Sequence, residues 1–129
     1  MPAANRDPYN RPLRVAVAFG TRPEVIKLAP VIAALADAPA FRPLVVSSGQ
    51  HTDMLAPFVA HFGVRIDYEM KVMDAGQPLN RLFARVLTEF DEVLAKEAPD
   101  VVIVQGDTTT ATAAALAVAF GVATPEVAA

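Results

Sequence analysis

The chain has 129 residues, enough for one domain with a real core and at the small end for an array of βαβ units. Its 11 Lys and Arg against 14 Asp and Glu leave a formal charge of −3, so no global basic field recruits nucleic acid or an anionic membrane, and any anion site must be local. The absence of cysteine excludes a disulfide framework and thiolate metal ligands and fits a reducing cytosol, and two histidines, His51 and His61, do not make a zinc site by themselves.

The leader "MPAANRDPYNRP" is polar and rich in proline, with no apolar core of a signal peptide or anchor, and residues 1–12 are predicted to be a disordered tail. "LRVAVAF" (13–19) reads as a strand ending at Gly20. "PEVIKLAPVIAALADA" (23–38) spaces Val25, Ile26, Leu28, Ile32 and Leu35 as a helix, with Pro23 suited to the first turn. "FRPLVVSS" (41–48) is a second strand. The helix "TDMLAPFVAHFG" (52–63) opens on a Thr-Asp capping signal, carries Pro57 as a potential kink and closes on Gly63. His61, near the end of that helix, suits the negative end of its dipole. "VRIDYEMKV" (64–72) alternates as a third, less buried strand. After "MDAGQP", residues 79–97 space Leu79, Leu82, Phe83, Val86, Leu87, Phe90, Val93 and Leu94 as a long amphipathic helix. "DVVIVQ" (100–105) is a fourth strand and "DTTTATAAALAVAF" (107–120) a fourth helix. Strands alternating with helices predict a parallel sheet with right-handed crossovers, the Rossmann-like α/β architecture. "RVAVAF" and "VVIVQ", both continuously apolar, are expected side by side in the centre of that sheet.

In open α/β sheets the ligand lies beyond the carboxyl ends of the strands, where this chain reads "GTRPE", "SGQH" and "QGDTTT". The first of these turns lacks G-x-G-x-x-G, which removes the usual support for a dinucleotide. It offers instead Gly20 for close backbone approach, free N–H groups at a helix start, and Arg22, whose planar fork suits bidentate phosphate contact. Lys27, about one helical turn on, could add a second charge to the same anion. The same two residues would equally serve as solvated charges on a helix face. Asp107 stands where a carboxylate caps a helix, and three hydroxyls follow it, an arrangement unfavourable to the helix unless caps or ligands use them. A plain N-cap and a ligand role for Asp107 are both open on these residues.

"FGTRPEVIKLAPVI", "SSGQHTDML", "GQPLNRLFARVL" and "PDVVIVQGDTTTATAAALAVAF" resemble, in order and spacing, the amino-terminal domain of the non-hydrolysing UDP-N-acetylglucosamine 2-epimerases, over roughly Arg14 to Gly121. The resemblance implies one half of a glycosyltransferase-B arrangement, in which two Rossmann-like domains face each other across a cleft. It implies interconversion of UDP-N-acetylglucosamine and UDP-N-acetylmannosamine without a cofactor or metal, by elimination of UDP to a glycal and re-addition with C2 inverted. By the same resemblance Arg22 and Lys27 contact the nucleotide sugar, Asp107 is both a substrate-binding and a catalytic carboxylate, and Gln50, His51 and Arg85 belong to a second, regulatory UDP-sugar site. It further implies UDP-N-acetylglucosamine or UDP as partner, no nucleic acid or membrane, a homodimer for the full-length family, a cytoplasmic location and service to cell-surface polysaccharide biosynthesis. For His51 a loop histidine bonded to backbone, and for Arg85 a solvated helix face, are the alternative readings.

Beyond "AVAFGV" the family continues into a fifth strand carrying a histidine and a glutamate and then into a second domain, whereas this sequence reads "ATPEVAA". Pro125 and the missing apolar residues keep Glu126 from being equated with that glutamate. The domain is therefore expected over 13–122 with a divergent tail at 123–129, as an amino-terminal fragment inactive alone whose "VVIVQ" strand is left with an open edge that favours self-association or a partner half. The alternative is a non-catalytic α/β module that binds a nucleotide sugar or a partner.

Overall fold

The structure, a computed structural model, describes residues 11–49, 52–72 and 75–120. Four parallel strands, β1 (Leu13–Phe19), β2 (Phe41–Ser47), β3 (Tyr68–Glu69) and β4 (Val101–Ile103), form one sheet in the order β3-β2-β1-β4. They alternate with the helices α1 (Arg22–Asp37), α2 (Thr52–His61), α3 (Leu79–Glu97) and α4 (Thr109–Phe120). Side chains on a strand point alternately to the two faces, and β1 shows why both faces need cover. Val15, Val17 and Phe19 pack with Val25, Leu28 and Ile32 of α1 and Leu55 of α2, while Ala16 and Ala18 pack with Leu82, Val86 and Phe90 of α3 and Ala113, Ala114 and Ala117 of α4. The layers are thus α1 and α2, the sheet, then α3 and α4. The small alanines of β1 and α4 are what let α4 approach this sheet closely, since there is little side chain between the backbones.

The helices and the first two strands lie where the periodicity places them, with ends that differ by one or two residues. α2 runs past Pro57 and ends at His61, whose ring meets Phe62 edge-on at 5.1 Å. The chain leaves the helix through Gly63, left-handed at φ 65°.

β3 is the clear departure. Of the expected 64–72 only Tyr68–Glu69 pairs with β2. Asp67 explains the late start: its carboxylate accepts the Val45 N–H at 2.8 Å while its own N–H bonds Val45 O at 2.9 Å, so a side chain takes the place of a ladder carbonyl. The alternation seen in the sequence reports packing instead. Val64 and Ile66 cover the α1–α2 side, and Met70 and Val72 are buried on the α3–α4 side.

β4 pairs with β1 as expected, Val15 opposite Val101 and Val17 opposite Ile103. It is not a central strand, however. Among the described residues it lies at the edge of the sheet, and all three of its residues are partly exposed. Its expected first residue, Asp100, serves as an anchor: it gives its N–H to Arg14 O, and its carboxylate accepts the Arg14 N–H at 2.8 Å and both arms of the Arg11 fork at 2.7 and 2.9 Å. Arg11, counted with the leader in the sequence reading, is therefore tied to the domain; residues 1–10 of that leader lie outside the described residues, as does the 123–129 tail. Next to this pair, Glu97 at the end of α3 accepts the Tyr68 hydroxyl at 2.6 Å and Arg14 Nη2 at 2.5 Å, and these contacts hold its carboxyl below the usual range. Together the two clusters lock the amino ends of β1 and β4 to α3, opposite the end of the sheet where a ligand would sit.

Candidate functional site

β1 has β2 on one side and β4 on the other, so the strand order reverses direction between β1 and β4. Such a switch point opens a crevice at the carboxyl ends of the strands. Two turns face it, "GTRPE" from β1 into α1 and "QGDTTT" from β4 into α4.

Glu24 joins them. It is 1% exposed, and its Oε2 accepts the N–H of Gly20 at 2.7 Å, the N–H of Thr21 at 2.7 Å and the Thr21 hydroxyl at 3.0 Å. Its Oε1 accepts the hydroxyl of Thr108 across the crevice. A buried carboxylate would be costly without such partners, and here four donors satisfy it. Thr108 in turn accepts the N–H of Ala111 at 3.2 Å and so caps α4. The third turn is tied in next to it: Thr110 Oγ1 donates to Ser48 Oγ at 3.0 Å, with both residues 1% exposed.

On this frame the residues expected from sequence are distributed unevenly. Arg22, the first residue of α1, is exposed, and its guanidinium lies over the Phe58 ring of α2 at 5.4 Å from the centroid, which keeps the charge in place while leaving it open to a ligand. Lys27 is exposed on the same helix. Asp107 is exposed and makes no hydrogen bond or ion pair among the described residues. Of its two open readings, the plain N-cap of α4 is not the one found: the helix starts at Thr109 and the cap is Thr108. Thr108→Ala should therefore cost about 1 kcal/mol or more in chemical denaturation, and Asp107→Asn should leave the denaturation midpoint where it is.

Gln50 and His51 lie outside the described residues. Arg85 is not on a free helix face. It donates to Lys71 O at 2.9 Å and to Gln77 Oε1 at 3.4 Å, and Gln77 Nε2 donates to Val72 O at 2.7 Å, so the arginine fastens α3 to the segment that follows β3. Glu24 and Thr108 were not singled out in the sequence, although Thr21-Arg22-Pro23-Glu24 carries the T-x-x-E spacing of a capping box. Among the described residues no three His, Asp or Glu gather as metal ligands, and no helix is long and apolar enough to cross a membrane.

An arginine seated on one turn and a carboxylate without a partner among the described residues on the other suit a substrate that carries both a diphosphate and sugar hydroxyls. Residues 33–124 match the family described as UDP-N-acetylglucosamine 2-epimerase. The chain belongs to this family. The UDP-N-acetylglucosamine 2-epimerase of Escherichia coli K12 is 43% identical over 105 residues, which are 81% of this chain and 28% of that protein. Among solved structures, the UDP-GlcNAc 2-epimerase of Neisseria meningitidis bound to UDP-GlcNAc matches with a TM-score of 0.78 at 38% identity, over 81% of this chain and 28% of its own. That of Methanocaldococcus jannaschii in complex with UDP-GlcNAc and UDP matches with a TM-score of 0.75 at 33% identity, over 81% and 29%. The chain thus spans little more than a quarter of the length of these epimerases, and the expected fold, a Rossmann-like parallel sheet flanked by helices, is the one found.

Proposed function

We propose that the chain supplies one wall of the active site of a non-hydrolysing UDP-N-acetylglucosamine 2-epimerase, and that the remaining wall comes from the part of the family's length that it does not span. The observation that carries this is that Arg22 and Asp107, neither of them used in an ion pair or hydrogen bond among the described residues, stand on two turns that Glu24 and Thr108 hold at one switch point, with Lys27 exposed on α1 beyond the first of them.

Negative charge grows on the diphosphate as UDP leaves C1, and fixed cations there stabilise the transition state more than the bound substrate. Arg22 is suited to this by its bidentate fork and by its seat on Phe58, and Lys27 adds a compact charge within reach of the same group. Asp107 can take or return a proton, or hold the sugar hydroxyls, because its lone pairs are not engaged by the fold. The substrate is UDP-N-acetylglucosamine, no cofactor is needed for elimination and re-addition, and the protein works in the cytoplasm, apart from membranes and nucleic acid. The full-length enzyme is a homodimer, and the edge of the sheet at which β4 lies among the described residues is a surface for self-association or for a partner half. A regulatory UDP-sugar contact through Gln50, His51 and Arg85 belongs to the same reading, with Arg85 acting from its place against Lys71 and Gln77.

A chimera tests this. The 129 residues alone should leave UDP-N-acetylglucosamine unchanged in proton NMR. Exchanged for the matching amino-terminal segment of the Escherichia coli relative, the same residues should support its epimerisation. Turnover by the isolated chain at about 1 per second, or a folded chimera that binds UDP and turns nothing over, would contradict the proposal.

A further inference from the structure

The β1–α1 turn has the make-up of a phosphate cradle, a buried glycine followed by the first free N–H groups of a long helix, yet its donors are already taken. Gly20 N–H, Thr21 N–H, the Thr21 hydroxyl and the Thr108 hydroxyl converge on the single carboxylate of Glu24, which is 1% exposed and sits one turn into the helix itself. Both backbone contacts are 2.7 Å, the short distance of charge-assisted bonds. Four donors around one anion are a complete anion-binding site, and a helix start adds its own preference for negative charge.

We infer that Glu24 is the built-in anion of this turn and a specificity-determining residue: it closes the helix start to phosphate and leaves the diphosphate of the substrate, on the reading above, to the side chains of Arg22 and Lys27. The consequence is geometric as well as electrostatic. A phosphate could reach the Gly20 and Thr21 N–H groups only by displacing a carboxylate that also bridges to α4, so opening the turn would release Thr108 and with it the loop that bears Asp107. Backbone recognition of phosphate, the usual device at this position of a Rossmann-like sheet, is exchanged here for a fixed link between the two lips of the crevice.

The test uses the nitrogen-15-labelled 129-residue chain, with sodium phosphate and sodium formate as probes at constant ionic strength. In the wild type the Gly20 and Thr21 amide signals should not move with either anion. In Glu24→Ala, and in Glu24→Ser, whose hydroxyl suits a first helical turn and guards against loss of the fold, both signals should shift saturably with both anions. Formate should also raise the melting temperature of these variants and not that of the wild type. Saturable phosphate shifts at wild-type Gly20 and Thr21 would overturn the inference, and so would folded variants silent to both anions. UDP added to the wild type separates this from the proposed function: no shift around Arg22 and Asp107 would count against the nucleotide-sugar reading, while amides silent to phosphate in the wild type and responsive in the variants would still uphold a self-occupied turn.

Discussion

Arg22→Ala, placed in the active chimera, is expected to slow epimerisation by roughly 2.7–4 kcal/mol of transition-state stabilisation, about a hundredfold to a thousandfold in kcat, the scale for loss of one preorganised charge stabiliser. The residue is exposed, and among the described residues its one ring contact is with Phe58, so the fold should survive the change with little loss. The effect belongs in kcat more than in KM if the cation meets charge that develops as UDP departs. Arg22→Lys should recover part of the rate, because the charge returns without the bidentate fork. Steady-state kinetics on the three proteins checks this; an Arg22→Ala chimera with unchanged kcat would leave Arg22 as a solvated helix residue.

The second large effect is on stability. Gly49→Ala should destabilise the chain by about 3 kcal/mol or more, on the scale of backbone strain at a special conformation combined with a clash. Gly49 has φ 72°, and a Cβ there would come within 1.9 Å of the Met70 carbonyl oxygen, a backbone atom that cannot swing aside. Gly106 is the internal control. Its φ is 83°, but a Cβ would enter open space, so Gly106→Ala should show only the left-handed penalty of about 1–2 kcal/mol. Urea denaturation midpoints of the two variants give the comparison. Equal losses would mean that the approach of Met70 to the turn after β2 is looser than described.

How far the sequence can be read depends on which physical signal each feature leaves in it. α3 was legible because it buries one stripe, Leu82, Val86, Phe90 and Val93 falling on a single side, whereas α4, apolar nearly all round, was legible from the capping residues at its start. β1 was legible because both its faces are covered, which writes an unbroken apolar run. β3 was overread, since Val64, Ile66, Met70 and Val72 alternate for reasons of packing while Asp67 supplies a side-chain acceptor that no hydrophobic pattern reports. β4 was expected to be buried on both sides, but an apolar run says what a strand could pack against and not whether its next neighbour is there.

The site shows the same division. Arg22 and Asp107 could be placed just beyond the ends of β1 and β4 because topology puts these turns there, whatever their details. The cap of α4 was misplaced by one residue, as Asp107 and Thr108 are both good capping types and only the backbone path decides between them. Glu24 was passed over for a related reason. A T-x-x-E box can be seen in a sequence, but its second use, the bond to Thr108 84 residues away, exists only once the turns that lead into α1 and α4 meet at the switch point. For Arg85 the sequence offered a regulatory contact or a solvated helix face, and its bonds to Lys71 O and Gln77 Oε1 exist only in the folded chain.

The claim on which the rest depends is that the two turns joined by Glu24 and Thr108 face the nucleotide sugar. Titration of the nitrogen-15-labelled chain with UDP measures it directly. Saturable shifts concentrated at the Arg22 side chain, at the start of α1 and around Asp107, and lost in Arg22→Ala, are the expected result; shifts that gather elsewhere on the domain, or that persist unchanged in Arg22→Ala, would contradict it.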